Sequence, residues 1–424
     1  MSYTNIAPSS QSRATGASLR RLPLSAALLA CLCLPAHGAT IVVDDASASP
    51  VEGHCTIVDA VAALNTQAAV NGCVAGDGNN DIIDLTGFGV PTMLTFAQSA
   101  SGYSHALALS RAATIRGALD ASGGPLVTLA RSSVSGTPAF GLIQTTAPLT
   151  VYGLALTNGS APDMGGAIQS GAALSVDHCV VNGNHASGGG GLASTGTITL
   201  MDSTVSDNTA VYTGGGVISN TTVHLYHTAV SGNSTADARG FGGGGVYSGG
   251  AFVARNATIT DNVSATVGGG VASESFVTIN DSTVSNNSAL GGDGGGVLAR
   301  ASGVAASGST FNGNGTSSKG GAIYSTDTSL ENTTVTGNVA IAGAGGVYTK
   351  TLLSDYATIT GNRTNTGIGG GVAFASTASA NGTIMYGNTP DDLNTPSQAA
   401  LSGNFNLIGV SAWAVPSDTI NCDP

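Results

Sequence analysis

Over most of its length the chain repeats one pattern of apolar and polar positions. Each unit begins with a cluster of glycines, followed by short runs in which Val, Ile or Leu alternates with Thr, Ser or Asn, as in GGGVASESFVTINDSTVSNN (residues 268–287). Apolar residues at every second position are typical of β-strands with one buried face, and no run has the 3.6-residue period of a helix. This unit therefore predicts three short strands, centred on Val271, on Val277 and Ile279, and on Val284.

The units follow one another with a nearly constant period, because the asparagines that close them are 24 to 29 residues apart. A period in the twenties is typical of stacked repeats, in which each strand pairs with its counterpart about 4.8 Å away in the next coil. We therefore predict an all-β fold, a right-handed parallel β-helix with three strands per coil and about 13 coils. The closing asparagines should form a structural ladder at one corner: Asn184, Asn208, Asn233, Asn262, Asn287, Asn314, Asn338, Asn362 and Asn388.

The ends of such a stack need covers. The segment TIVDAVAALNTQ has the pattern of an amphipathic helix, and Thr56 and Asp59 have the spacing of a capping box, so we expect a short helix that closes the N-terminal end. The tail, with Trp413, should cover the other end. The predicted organisation is a signal peptide in residues 1–38, a strand and capping helix in 39–80, the β-helix in 81–392 and a C-terminal cap in 393–424.

The first 38 residues have the pattern of a secretory signal. Arg20 and Arg21 precede the apolar run LPLSAALLACLCL, and small residues precede Ala39. The run is about 13 residues long, too short for a membrane span of roughly 20 residues, and no later segment of the mature chain is long enough either. We expect an exported protein, either extracellular or on the outer surface. Lipoprotein anchoring at Cys31 stays open as an alternative.

Charge narrows the classes of partner. The chain contains 63 glycines, only 8% of its residues are charged, and its net charge is −12. Loss of the predicted signal removes three arginines and leaves 9 basic and 24 acidic residues, a net charge of −15. Such a balance argues against nucleic acid and anionic lipid as partners, and mildly against anionic polysaccharide.

Four cysteines remain after the signal. Cys55 and Cys73 are close in sequence, and in an exported chain we expect them to form a disulfide. Cys179 stands where other repeats have Ser or Thr, which indicates a small buried residue. The sequence assigns no role to Cys422.

The repeats carry a family resemblance. The GG[AV][IVY] strands that alternate with T[VI][ST]xN segments resemble the repeats of polymorphic outer-membrane proteins and related bacterial right-handed β-helix proteins. The segment CTIVDAVAALN (residues 55–65) resembles the CSLREAI…AAN segment of a family of exported β-helix proteins, whose second cysteine is matched by Cys73. Here Val58 replaces the Arg of that family and Asp59 its Glu. The resemblance implies a β-helix of adhesin or surface-protein type. We do not expect the resemblance to extend to the outer-membrane barrel of those proteins.

The best candidates for catalysis lie six residues before the closing asparagines, where His178, Asp202 and His227 occupy successive coils. Asp207 lies just before its asparagine. A polysaccharide lyase or glycoside hydrolase is the alternative function that these residues would serve, and glycosidases need two carboxylates roughly 5 to 9.5 Å apart. Corner residues of the coil are the simpler interpretation, so we expect neither a catalytic site nor a metal or other cofactor.

Two surface features indicate binding. The outward positions of the third strands are rich in Thr and Ser, like the T-x-T face of ice-binding β-solenoids, which gives a third candidate function; good solvent-facing strand residues are the simpler interpretation. The face comprises Thr258, Thr260, Thr283, Ser285, Thr334, Thr336, Thr358 and Thr360.

The connections between the asparagines and the next glycine cluster vary most in length, as binding loops do. They carry Tyr212, Arg239, Phe241, Lys319 and Arg363. Ordinary solvated loops are the alternative interpretation. The function that we predict is adhesion or ligand binding by an exported, non-catalytic rod, with carbohydrate or a host or cell-surface protein as partner.

Overall fold

The computed structural model describes residues 38–366, 368–395, 400–411 and 420–421. These residues form a parallel β-solenoid of about 11 turns and three sheets, with 3% helix, which confirms the predicted fold class. The expected number of coils was slightly higher, about 13; the three sheets contain unequal numbers of strands, so not every turn is complete. The predicted signal up to His37, with Cys31, and also Trp413 and Cys422 lie outside the described residues.

Sheet I has 24 strands and forms two arms of each coil. The first arm follows the glycine cluster and comprises His105–Leu109, Gly141–Thr145, Ile168–Ser170, Leu192–Ser194, Val217–Ser219, Val246–Ser248, Val271–Ser273, Val297–Ala299, Ile323–Tyr324 and Leu393–Asn394. The second arm comprises Thr40–Val42, Asp81–Asp84, Ala113–Arg116, Leu149–Tyr152, Leu174–Asp177, Ile198–Met201, Val223–Tyr226, Phe252–Arg255, Val277–Asn280, Gly303–Ser307, Asp327–Glu331 and Ala400–Ser402. Two strands run through both arms, Val347–Asp355 and Val372–Asn381.

Sheet II corresponds to the third predicted strand of each coil. Its 14 strands are Thr92–Phe96, Val127–Arg131, Leu154–Thr157, Val180–Asn182, Thr204–Ser206, Ala229–Ser231, Thr258–Thr260, Thr283–Ser285, Thr310–Asn312, Thr334–Thr336, Thr358–Thr360, Ile384–Tyr386, Leu407–Ile408 and Ile420–Asn421.

Sheet III corrects the prediction of three strands per coil. It consists of short strands directly after the closing asparagines, in which the second residue is small and buried. Its 8 strands are His185–Gly188, Thr209–Thr213, Ser234–Thr235, Val263–Ser264, Ser288–Ala289, Gly315–Thr316, Val339–Ala340 and Arg363–Thr364. A coil with all four segments therefore has four strands distributed over three sheets.

The interior of the solenoid is formed by the alternating apolar positions. Val271, Val277, Ile279 and Val284 are each completely buried, and each lies beside its counterpart in the next coil. Burying such side chains contributes roughly 1.5–3 kcal/mol each. One apolar core therefore runs along the stack.

The glycine cluster is a place of close backbone approach. Gly268 has a φ of 59°, in the left-handed region that favours glycine. A Cβ on Gly269 would lie only 2.3 Å from the carbonyl oxygen of Gly295 in the next coil. At this corner the coils stack through their bare backbones.

The closing asparagines form a buried ladder between coils. The Nδ2 of Asn262 donates to the Oδ1 of Asn287 at 2.9 Å and to the carbonyl of Val230 at 2.9 Å. Its Oδ1 accepts from the backbone nitrogen of Asn233 at 3.0 Å and from the Nδ2 of Asn233 at 2.9 Å. The same pattern joins all the asparagines from Asn184 to Asn388. Each amide thus satisfies backbone groups that the corner would otherwise leave unpaired.

The N-terminal end is closed by the one helix of the described residues, Ile57–Thr66. The Thr56 hydroxyl accepts from the backbone nitrogen of Asp59 at 3.3 Å, as the capping box predicts. The expected disulfide between Cys55 and Cys73 is present and ties the segment after the helix to the residue before the N-cap. In the part of the chain that the structure describes, no helix is long and apolar enough to cross a membrane.

Cys179 is a buried free thiol, and its backbone nitrogen donates to the Ser203 hydroxyl of the next coil at 3.1 Å. Burial raises the pKa of this thiol to about 12. Since the thiolate is the reactive form, we expect Cys179 to resist iodoacetamide in native buffer at pH 8 and to react once the chain is unfolded. Mass spectrometry of the Cys179 peptide checks this; rapid labelling of the native protein would contradict the burial.

Candidate functional site

The outward face of the first arm differs in chemistry from the outward face of sheet II. Strand register places one residue of each first-arm strand from Gly141–Thr145 to Val372–Asn381 in a single row. We call this the outer row: Gln144, Gln169, Ala193, Ile218, Tyr247, Ala272, Leu298, Tyr324, Tyr348 and Ala373. Where sheet II presents mainly Thr and Ser, the outer row continues after two glutamines with aliphatic side chains, which are buried, and with three half-buried tyrosines. From Gln144 to Tyr348 it extends about 38 Å, at about 4.8 Å per coil.

The middle of the outer row carries an exposed cluster that we call the aromatic edge, formed by Tyr212, Arg239, Phe241, Tyr247 and Arg300. Phe241 is 63% exposed, and its ring centroid lies 5.9 Å from that of Tyr247. The Arg239 guanidinium lies 5.8 Å from the ring centroid of Tyr212, within the range of a cation–π contact. Arg300 Nη2 donates to the carbonyl of Phe241 at 3.4 Å.

The positive charges of the aromatic edge are paired. Arg239 forms an ion pair with Asp237, which lowers the pKa of that carboxyl to about 2. Arg300 Nε lies 3.0 Å from Glu274 Oε1, which also accepts from the Tyr247 hydroxyl at 3.3 Å. Burial and then the Glu274 carboxylate raise the pKa of Tyr247 to about 12. The edge therefore offers aromatic rings and polar groups with little net charge.

A second aromatic cluster lies further along the outer row. The rings of Tyr324 and Tyr348 are stacked with centroids 5.4 Å apart and planes 2° apart, and Lys319 Nζ lies 4.8 Å from the Tyr348 centroid. Tyr247 and Tyr324 are three coils apart, about 14 Å. One extended ligand would thus reach both clusters.

The start of the outer row lines a cleft of about 190 Å³, with Gln144, Met164, Gln169 and Asn220 among its walls. The Oε1 atoms of Gln144 and Gln169 are buried and have no hydrogen-bond partner. Buried acceptors of this kind normally have a donor, so the cleft is suited to a ligand that brings hydroxyl or amide hydrogens.

The structure brings together three of the five residues predicted for ligand binding, Tyr212, Arg239 and Phe241, and places Lys319 against the second cluster. Arg363 begins the last strand of sheet III and joins neither cluster. Sequence reasoning missed Tyr247, Tyr324 and Tyr348. They were detectable as the aromatic residues two or three positions after the last glycine of their clusters, but their common row requires strand register.

The histidines and aspartates suggested for catalysis lie at corners. His178, Asp202 and His227 have φ values of 50°, 45° and 47°, and they form one column between the second arm and sheet II. Asp207, with φ 55°, belongs to the next corner, so the strand Thr204–Ser206 separates it from Asp202. These two carboxylates therefore do not share one corner as a glycosidase pair would need.

The Thr/Ser face predicted from the sequence lies on the outward side of sheet II. Thr258 and Thr260 pair in register with Thr283 and Ser285, and the same columns continue through the later coils. The outward positions include Ala229 before this stretch and Asn312 within it, so the Thr/Ser columns are interrupted. The two threonine pairs of the later coils are Thr334, Thr336, Thr358 and Thr360.

Comparison of the chain with protein-family models, curated proteins and solved structures gives no match. The assignment of a function therefore depends on the geometry of the surface described above.

Proposed function

We propose that the chain is an exported, non-catalytic binding protein that holds a neutral polysaccharide along the outer row. The observation that carries the proposal is the exposed aromatic edge, in which the rings of Phe241 and Tyr247 lie together beside arginines that are already paired with carboxylates. Exposed apolar patches on a folded chain mark interaction sites.

Chemistry favours a sugar polymer as the ligand. Aromatic rings pack against the apolar faces of sugar rings, while polar groups beside them bind hydroxyls. Gln144 and Gln169 supply acceptors that lack donors, and Glu274 and Arg300 supply polar groups at the aromatic edge. Because the chain has a net charge of −12 and the cations of the edge are paired, a neutral polysaccharide fits better than an acidic one.

The length of the outer row explains how shallow contacts would give useful affinity. The outer row holds two aromatic clusters about 14 Å apart and an acceptor pair at its start. A polymer that contacts several of these places gains from effective concentration without a deep pocket. The same proposal includes two further points. The repeat motifs support membership of the polymorphic-outer-membrane-protein type, and the predicted signal supports secretion and a location at the cell surface.

The test is retention of defined polysaccharides by the purified chain, with both the retained and the unbound polymer sized afterwards. We expect a neutral β-glucan or mannan to be retained at full length and acidic polygalacturonate to be retained less. Phe241→Ala should weaken the retention about tenfold, because it removes the most exposed ring of the edge.

Tyr356→Asn is the matched control. Tyr356 is 72% exposed but lies in the corner column, where Asn256 and Asn332 show that asparagine is accommodated. It should leave binding unchanged. Shortened polymers would indicate a polysaccharide lyase or glycoside hydrolase instead. Equal loss of retention in both variants, or retention of no polysaccharide, would refute the proposal and favour a protein partner.

A further inference from the structure

We propose that the corner between the second arm and sheet II contains a site for one divalent transition-metal ion, formed by Asp177, His178 and Asp202. One ligand atom from each of these residues lies within 4.8 Å of the other two. This site lies at a corner, away from the first-arm face that carries the outer row, and it does not depend on sugar binding. Asp177 ends a second-arm strand, His178 is the corner residue that follows it, and Asp202 is the corner residue of the next coil.

The side chains already face one another. His178 Nδ1 lies 2.6 Å from Asp177 Oδ1, and on the next coil His227 Nδ1 lies 3.5 Å from Asp202 Oδ1. An ion bound at about 2.1 Å holds tetrahedral ligands about 3.4 Å apart. The contact between His178 Nδ1 and Asp177 Oδ1 must therefore open, whereas ligand atoms at the 4.8 Å limit must come closer by about 1.4 Å. His227 is close enough to Asp202 to orient its carboxylate.

The corner is open to an entering ion. The side chains of His178 and Asp177 are 33% and 28% exposed, and those of His227 and Asp202 are 60% and 40% exposed. The thiol of Cys179 follows immediately in the chain but is buried inside the solenoid, so it cannot be a ligand. The donor set is therefore two carboxylates and one imidazole.

Such a set selects the class of ion. Imidazole nitrogen and carboxylate oxygen together suit Zn²⁺, Ni²⁺ and Cu²⁺, whereas Ca²⁺ takes six to eight oxygens and finds too few here. The two carboxylates also balance the charge of a divalent ion. Because Asp177 and Asp202 belong to adjacent coils, the bound ion would join one coil to the next from outside.

The experiment is calorimetric titration of the tag-free chain with ZnCl₂ at pH 7.5. We expect one ion per chain and a rise in the unfolding temperature, since a ligand that binds only the folded state stabilises it. His178→Asn and Asp202→Asn should each weaken binding about 100-fold and abolish the rise. Both substitutions keep the fold, because asparagine occupies this corner at Asn256 and Asn332.

Asp281→Asn is the matched control, since Asp281 has the same corner conformation with φ 49° but Asn256 and Gly308 as its neighbours in the column. It should bind zinc as the unaltered chain does. Electron paramagnetic resonance of the Cu²⁺ complex should show nitrogen coupling that His178→Asn reduces. Absence of one-to-one binding, or unchanged affinity in His178→Asn and Asp202→Asn, overturns the proposal.

Discussion

Gly269→Ala should destabilise the solenoid by about 3 kcal/mol or more and reduce the yield of folded protein. The added Cβ would lie 2.3 Å from the Gly295 carbonyl oxygen and 2.5 Å from the backbone nitrogen and carbonyl carbon of Ser288. All these atoms are backbone in neighbouring coils, so no side chain is able to rotate away. The coils must separate at this corner, and separation breaks the hydrogen bonds between their backbones.

The measurement is the urea midpoint of the circular dichroism signal, with Gly87→Ala as control. Gly87 lies in a turn where an added Cβ meets no atom within 4 Å. It should shift the midpoint little, since surface substitutions usually change stability by no more than about 0.5 kcal/mol. If Gly269→Ala is as stable as Gly87→Ala, the backbones at the glycine corner do not pack closely enough to exclude a Cβ.

Asn287→Ala should cost about 4 kcal/mol, because it leaves two buried backbone groups without partners at about 1–3 kcal/mol each and also removes amide hydrogen bonds. The carbonyl of Ile259 loses the Asn287 Nδ2, at 2.9 Å, and the nitrogen of Asn262 loses the Asn287 Oδ1, at 3.1 Å. Asn287 is only 1% exposed, so water cannot replace the amide. Urea denaturation measures the loss.

The neighbouring residue provides the control. Asn286 is exposed and has a φ of 54°, a conformation that Gly313 adopts at the same position of the next coil. Asn286→Gly should therefore leave the midpoint nearly unchanged. A similar effect of the two substitutions would mean that the ladder contributes no more than an ordinary turn residue.

The regular part of the fold was predictable because the same alternation of apolar and polar residues occurs in every coil. The alternation around Val277 and Ile279 fixes which face is buried, and repetition of the pattern excludes chance. Sheet III was missed for a physical reason: a strand such as Ser288–Ala289 is too short to show an alternation, and its buried residue is small rather than strongly apolar.

The candidate sites were less predictable, because they depend on register between coils of different length. Tyr247 and Tyr324 are 77 positions apart in the sequence, yet pairing places them three coils apart in one row. Asp177 was overlooked beside His178 because it is the last residue of a strand. The corner column was found by counting six residues back from each closing asparagine, and that count gives His178 but not Asp177. Its approach to Asp202 appears only in three dimensions.

The asparagine ladder also has an electrical polarity. Every amide in it donates toward the following coil, so the amide dipoles point the same way and add, as peptide dipoles do along an α-helix. At one end the backbone nitrogen of Gly159 donates to the Asn184 Oδ1, at 2.8 Å. At the other end the amide of Asn388 donates to the buried Asp392 carboxylate, at 2.7 Å. An anion thus lies at the positive end of the row, and only an acceptor is able to terminate the stack on that side.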